Sequence, residues 1–309
     1  MNILIAGGSG LIGSALSEEL ILRGHQVTIL TRNVPLENKS QHPLLSYARW
    51  DGRSPQGWSH LVENIDALVN LTGENLAKGR WSPQRKIALR ESRVEAGKAI
   101  LQAVLDSKHK PNVLIQASGI GAYGTSPSLV FDEKSPYGTD FLSSICVSWE
   151  ASTRPVEGVG VRHVVIRSGV VLSNQSGALP LMVLPFRFFA GGPLGSGTQW
   201  MPWIHIQDEV NAIIHLINTP NTSGTYNLVA ANHTNHQVAN AIGRSLKKHS
   251  VLPAPAFALQ ALLGEMSMMV LDGQQASNQK LIASGFQFKF TQLSATLDDL
   301  LNRPTSRKE

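Results

Sequence analysis

Residues 1–20 limit the fold more than any other stretch. Met1-Asn-Ile-Leu-Ile-Ala6 is an apolar run without polar alternation, and Gly7-Gly8-Ser9-Gly10-Leu11-Ile12-Gly13 follows at once. A helical pattern (Leu11, Ala15, Leu16, Leu20) begins inside the glycines. An uninterrupted apolar run reads as a strand buried in a parallel sheet. Gly8, Gly10 and Gly13 satisfy G-x-G-x-x-G, and Gly7, Gly10 and Gly13 the looser G-x-x-G-x-x-G. Glycine serves three needs there: a tight turn, backbone approach to a pyrophosphate, and close helix–strand packing. The helix start adds free N–H groups and a positive dipole end. A flexible turn would explain a lone triplet, but a strand before it and a helix opening near residue 13 mark a dinucleotide site. Gly7, Ser9, Gly10, Leu11, Ile12 and Gly13 are its phosphate loop.

The residues after this unit choose the cofactor. His25 to Arg32 reads as the second strand, and an Asp or Glu at its end would select the free 2′-hydroxyl of NAD. The chain has Thr31, Arg32 and Asn33 there, with no acid until Glu37. A guanidinium pairs with a 2′-phosphate in bidentate fashion, so NADP(H) is favoured over NAD(H). The competing reading of Arg32 is a solvent-facing side chain after a strand. Residues 33–43, with Pro35 and Asn38, read as a loop, and Leu44 to Trp50 as a third strand. Asp51 either reaches an adenine or caps a turn.

Asp66 to Gly73 is the next strand and its exit. Ligands in open α/β sheets lie beyond the carboxyl ends of strands, which puts Leu71, Thr72, Gly73 and Glu74 beside the cofactor. Ser82-Pro83 starts a helix running to Asp106, with Ile87, Val94, Ile100, Leu101 and Val104 expected inward. Arg93 falls near that stripe and needs a partner, for which a phosphate is one choice. Strands follow at Asn112–Ser118 and Arg162–Leu172, around a helix from Asp140 to Glu157. Alternation through residue 172 gives an α/β fold, a Rossmann doubly wound parallel sheet. The domain boundaries expected are 1–174 for this part and 175–309 for a smaller, mostly helical lid interleaved with the last sheet strands. Helices are expected near 207–218, 234–247, 255–271 and 293–302, and the substrate cleft between the two parts.

Composition narrows the function classes. Lys and Arg number 27 against 22 Asp and Glu, but the positive charges are dispersed rather than massed on a stripe, so no nucleic acid is expected. No apolar run approaches a membrane span, so no membrane partner is expected. Cys146 is the only cysteine, which excludes an internal disulfide and a cysteine metal site. The histidines lack metal spacing with a matching acid, so no metal is expected. With the fold beginning at residue 2 and no leader expected, the reading is a cytoplasmic protein.

G-G-S-G-L-I-G, Ala122-Tyr-Gly124 and Arg167-Ser-Gly-Val-Val-Leu resemble an extended short-chain dehydrogenase/reductase. Asn70-Leu-Thr-Gly-Glu-Asn-Leu, Arg80-Trp-Ser, Glu91-Ser-Arg and the block Gly191 to Ile206 are similar to the atypical NAD-dependent epimerase/dehydratase-like family. Gly264 to Phe288 resembles the small domain appended in that family. The resemblance implies NADP(H), with Thr31 and Arg32 at the 2′-phosphate, Leu71 and Thr72 at the strand exit, Arg93 on the long helix, and Val171. It also exposes a departure. Extended reductases carry Tyr-x-x-x-Lys, and aligning Glu150 with the Glu that ends that motif puts Leu142 at the Tyr position and Cys146 at the Lys position. Neither transfers a proton in that role at neutral pH.

Substitutes are Ser118, at the reductases' serine position, Tyr123 as a displaced acid, and His205 as a titratable group from the lid. Each has a second reading: ordinary loop residues for the first two, a structural histidine anchoring the following helix for the third. Gln199, Trp200 and Trp203 either line a sugar pocket or pack the lid. The function expected is an NADP(H)-dependent atypical reductase or nucleotide-sugar-epimerase-like oxidoreductase on a small, sugar-derived substrate. The alternative is a non-catalytic NADP(H)-binding sensor, in line with relatives linked to cell or plastid division.

Overall fold

The computed structural model describes residues 1–34, 42–250 and 252–302. Pro35, Glu37, Asn38 and the tail from Arg303 to Glu309 lie outside them. In chain order the elements are β1 (Asn2–Ala6), α1 (Leu11–Leu22), β2 (Gln26–Thr31), β3 (Leu45–Arg49), β4 (Ala67–Asn70), α2 (Pro83–Asp106), β5 (Val113–Gly119), β6 (Val130–Phe131) and α3 (Phe141–Thr153). Then come β7 (Arg162–Ser168), β8 (Val170–Leu172), α4 (Ala178–Arg187), β9 (Trp200–His205), α5 (Ile206–Asn218), β10 (Gly224–Leu228), β11 (Ala231–Thr234) and α6 (Asn235–Ser245). The chain closes with α7 (Ala256–Leu263), α8 (Met268–Leu271), β12 (Gln275–Ala276), α9 (Gln279–Ala283) and α10 (Leu293–Asn302).

Seven strands form one sheet in the order β10-β7-β5-β4-β1-β2-β3. The order runs outward both ways from the β1–β4 pair, so the crevice beyond their carboxyl ends is the ligand position of a doubly wound sheet. The β1–β2, β1–β4, β2–β3 and β4–β5 pairs are parallel, with Ile5 opposite Ile29 and Val69. One face packs on α2: Leu4, Leu30, Leu68 and Leu114 meet Ala96, Ala99, Ile100 and Val104. Trp50 and Trp58 meet edge to face at 5.4 Å and both donate to the Ser54 carbonyl. That shared acceptor leaves neither buried indole N–H unsatisfied.

Helix α2 begins as expected, with the Ser82 hydroxyl accepting from the Arg85 N–H and Pro83 at the first position. Its inward stripe is as expected at Ile100 and Val104, which are fully buried, and differs at Ile87. Leu89, Arg93, Ala96, Ile100 and Ala103 are buried, and Ile87 is 57% exposed, because it stands two residues, about 200°, from Leu89. The expected sixth strand also divides. The chain leaves the large sheet at Gly169, whose missing Cβ would lie 2.8 Å from the Pro202 carbonyl oxygen. Beyond it β8 pairs with β9 in parallel, and β9 with β11 antiparallel, forming a three-stranded sheet. The helix expected over 255–271 is interrupted at Gly264, where φ is +61°.

The chain forms two compact units, and both are discontinuous. One comprises Met1–Gly124, Ser135–Arg167 and Val210–Asn227, and the other Thr125–Lys134, Ser168–Glu209 and Leu228–Glu309. Residues 125–134 and 168–174 therefore belong with the C-terminal unit and 210–227 with the sheet, which a single boundary at 174 does not describe.

Candidate functional site

The glycine loop has a separate constraint at each position. Gly7 has φ +82°, and a Cβ there would lie 2.7 Å from the Leu71 carbonyl. A Cβ on Gly8 would meet Ile29 at 2.7 Å, and one on Gly13 the Gly7 oxygen at 2.4 Å. Gly7 therefore fits against the β4 exit, and Gly13 lets α1 start flush on the loop. Gly10 is the helix N-cap, offers no side-chain cap, and has no acid in the turn behind it. The amides of Leu11, Ile12 and Gly13 thus lack a side-chain acceptor, while Ser9 and Gly10 are exposed. A cradle that a side chain would fill, backed by uncapped amides, fits a pyrophosphate.

Thr31 closes β2 with its Oγ1 accepting from the Asn33 N–H at 3.3 Å, and Arg32 is exposed beside it. Asp51 accepts from the Arg53 and Ser54 amides, which hold its carboxyl below the usual value, so it acts as the turn cap. At the β4 exit, the Thr72 hydroxyl donates to Asn70, whose Nδ2 donates to Gln116 at 2.9 Å. Thr153 also donates to Gln116 and meets His163, so a buried polar chain runs beneath the strand ends. Gly73 is required by Arg93: a Cβ would lie 2.8 Å from its guanidinium carbon. Arg93 finds its partners within the protein. It donates to the carbonyls of Leu89 (2.9 Å) and Glu74 (3.0 Å) and lies over the Trp149 ring, and burial pulls its pKa down to about 10. Glu74 is held further by its ion pair with Arg85 and by its amide on Ser92.

Ser118 and Tyr123 come together through an ion pair that pattern reading missed. The Glu150 carboxylate accepts from Ser118 Oγ (2.6 Å), Arg167 Nε (2.8 Å), Arg167 Nη2 (2.8 Å) and the Tyr137 hydroxyl (2.7 Å). Burial raises the Glu150 carboxyl, but the bidentate Arg167 outweighs it and holds the pKa below the usual value. The guanidinium lies between the rings of Tyr123 (4.7 Å) and Tyr137 (4.8 Å). Tyr123 is buried and donates to Asn227 at 2.6 Å, so its proton is committed inside the protein. Tyr137 is 45% exposed, and burial together with Glu150 raises its pKa. Leu142, Cys146 and Glu150 share one face of α3. Burial pushes the Cys146 thiol up to about 11, and it points at the Gly119 carbonyl. The shifts of Glu150 downward and of Tyr137 and Cys146 upward all run away from neutrality.

His205 lies in the other unit. Its Nδ1 accepts the Gln207 N–H at 2.9 Å, at the start of α5. Its ring stacks on Phe290 at 3.8 Å, and Nε2 stands 3.4 Å from Asp299. Burial lowers its pKa, so it is a neutral, buried imidazole at pH 7. These contacts are those of a helix anchor rather than an exposed acid. Gln199 donates to the carbonyls of Leu194 and Val270, Trp200 to Pro127, and Trp203 is fully buried, so these three pack their unit. Val171 sits in β8 opposite Ile204. A further unforeseen group is Glu209, which is fully buried. It accepts from Ser168 at 2.5 Å, has no partner for Oε2, and is pushed by burial to about 8.

The profile of the NAD dependent epimerase/dehydratase family matches residues 3–229. The chain belongs to this family. It is a Rossmann NAD(P)-binding fold of the short-chain dehydrogenase/reductase type, and a domain of unknown function, DUF1731, matches residues 254–300. An epimerase family protein of Staphylococcus saprophyticus is 41% identical over 308 residues, 97% of this chain and 99% of that one. The crystal structure of human epimerase family protein SDR39U1 (isoform 2) with NADPH is similar, with a TM-score of 0.88 and 33% identity, over 98% of this chain and 100% of the human one. The nucleoside-diphosphate sugar epimerase from Corynebacterium glutamicum has a TM-score of 0.78 and 30% identity, over 97% of this chain and 58% of its own length.

Proposed function

We propose that the chain is an NADP(H)-dependent oxidoreductase, an atypical short-chain reductase or nucleotide-sugar epimerase, acting on a small sugar-derived substrate. The observation that carries this reading is the cradle of Gly7, Gly10 and Gly13 under the uncapped start of α1, with exposed Arg32 one residue past β2. Arg32 reads the 2′-phosphate, Thr31 fixes the turn that carries it, and Leu71 to Glu74 line the crevice at the switch point. Arg93 braces that exit loop from beneath. The NADPH of the human relative supports the same preference.

When bound, NADPH supplies a hydride to the substrate carbon. Ser118 Oγ donates a hydrogen bond to Glu150 and keeps its proton, so its oxygen lone pairs would accept a hydrogen bond from a substrate hydroxyl, and the proton that accompanies hydride transfer would come from solvent. Arg167 acts through Glu150, and Tyr123 through Arg167, as positioning residues. His205 holds α5 and takes no part in proton transfer.

A second reading, an NADP(H) sensor without turnover, is favoured by one observation: Glu150 is saturated by four donors. A hydride-exchange screen with labelled NADPH across sugar nucleotides and small carbonyls separates the two. The enzyme reading expects exchange with at least one compound and a loss of about tenfold or more in Ser118→Ala at near-unchanged NADPH affinity. Tight NADPH binding without exchange across the panel would replace it with the sensor.

A further inference from the structure

Asn70 and Gln116 stand opposite each other on β4 and β5, and both are fully buried. Two fixed groups set which way their amides face. Gln116 Nε2 donates to the Ala117 carbonyl at 2.7 Å, where the amide oxygen would meet another oxygen. Gln116 Oε1 therefore points the other way and accepts from Asn70 Nδ2 and the Thr153 hydroxyl, each at 2.9 Å. Thr153 has then committed its only proton, so it accepts from His163, whose Nε2 carries the hydrogen, at 2.9 Å. At the other end the Thr72 N–H, which can only donate, lies 3.2 Å from Asn70 Oδ1. Both anchors require the same sense of the chain, and every buried amide group in it is satisfied.

That sense decides what Thr72 can offer a ligand. Its hydroxyl donates its one proton to Asn70 Oδ1, an atom that has none to give. Thr72 is half-buried, and among the described residues its oxygen makes no other hydrogen bond. The β4 exit also lies against the phosphate cradle. The Leu71 N–H donates to the Ala6 carbonyl at 2.8 Å, and a Cβ on Gly7 would lie 3.0 Å from the Thr72 nitrogen. A hydroxyl left with lone pairs alone repels a phosphate oxygen and suits an O–H donor. In a dinucleotide the pyrophosphate is joined at each end to a ribose, so ribose hydroxyls are the donors nearest to it.

We propose that Thr72 is a hydrogen-bond acceptor for a ribose hydroxyl of the bound cofactor, its own proton held inward by Asn70 and the buried chain behind it. The proposal rests on the NADP(H) reading above and adds the group that this position recognises. Two roles in the crevice are thereby separated. The amides at the start of α1 take the pyrophosphate, and Thr72 takes the sugar.

Fluorescence titration of the full chain with NADPH and with its deoxy forms, each lacking one ribose hydroxyl, tests it. Thr72→Val keeps the side-chain shape and loses the oxygen. It should weaken NADPH about fivefold, the worth of one neutral hydrogen bond, while Thr72→Ser stays within about twofold of the wild type. One deoxy form should bind the wild type more weakly by the same factor, and Thr72→Val should cause that form no further loss. Which form it is tells the nicotinamide ribose from the adenosine ribose. Equal losses of NADPH and of every deoxy form in Thr72→Val would make Thr72 a structural residue of the loop and overturn the proposal. So would equal wild-type affinity for NADPH and all its deoxy forms, a result that stands even if the valine variant fails to fold. A wild type that binds no NADPH removes the cofactor reading and this proposal with it. Tight NADPH binding that a folded Thr72→Val leaves unchanged removes this proposal alone.

Discussion

Glu150 gathers Ser118, Tyr137 and Arg167 onto one carboxylate, and every one of those bonds is made out of reach of bulk water or at its edge. Replacing it strands the Arg167 guanidinium, which is 4% exposed. Glu150→Ala is therefore expected to lower stability by about 3–5 kcal/mol in urea unfolding, and a loss under about 1 kcal/mol would show that water reaches the site. Glu209 has the opposite character. It has no cation, one hydroxyl donor and a carboxyl raised to about 8, so the folded state binds its proton more tightly than the unfolded state does. That contribution is complete below the unfolded value near 4.5 and disappears as pH rises through about 8. Glu209→Gln, which mimics the protonated acid, should leave stability little changed at pH 5 and raise the melting temperature at pH 8.5 by about 5 °C or more. Equal pH dependence in the two proteins would show that Glu209 ionises without penalty. Neither group was legible as a pair or an orphan. Arg167 lies seventeen positions from Glu150 and meets it only in the fold. Asn70 and Gln116 did leave a trace, as lone amides inside apolar strand runs, where a buried polar group needs a partner.

At the scale of elements, the helix starts were readable because they are local chemistry. Ser82-Pro83 opens α2, and Thr234 with Gln237 forms a capping box at α6, where a helix was expected from 234. Helix α4 was not expected, because Pro180 and Pro185 interrupt its pattern. Pro180 falls in the first turn, where its missing N–H costs nothing, and Pro185 sits within three residues of the end. The break at Gly169 is tertiary: the close Pro202 carbonyl belongs to another strand. The α2–α3 contact gives a prediction at this scale. A Cβ on Gly97 would lie 1.8 Å from Ser152 Oγ and 2.7 Å from its Cβ. Gly97→Ala should cost about 1–3 kcal/mol in spite of its better helix propensity. In a Ser152→Gly background the same change should become neutral or stabilising. A cost unchanged by Ser152→Gly would mean that the helices do not meet there.

At the scale of the molecule, the doubly wound sheet followed from strand–helix alternation through residue 172, since parallel neighbours need crossovers and these supply them. The discontinuous units did not follow, because residues 125–134 look like any exit loop until β6 pairs with β12 nearly 150 positions later. The proposed cofactor choice rests on one point of that architecture, the end of β2, where the chain has exposed Arg32 and no acid. The direct measurement is a fluorescence titration of the wild type and Arg32→Asp with NADPH and NADH. The wild type should bind NADPH about tenfold or more tighter than NADH, a charge-assisted bidentate contact being worth about 1.5–3 kcal/mol. Arg32→Asp should erase that difference by losing NADPH and keeping NADH. Equal wild-type affinities, or equal losses for both cofactors, would contradict a 2′-phosphate site at Arg32.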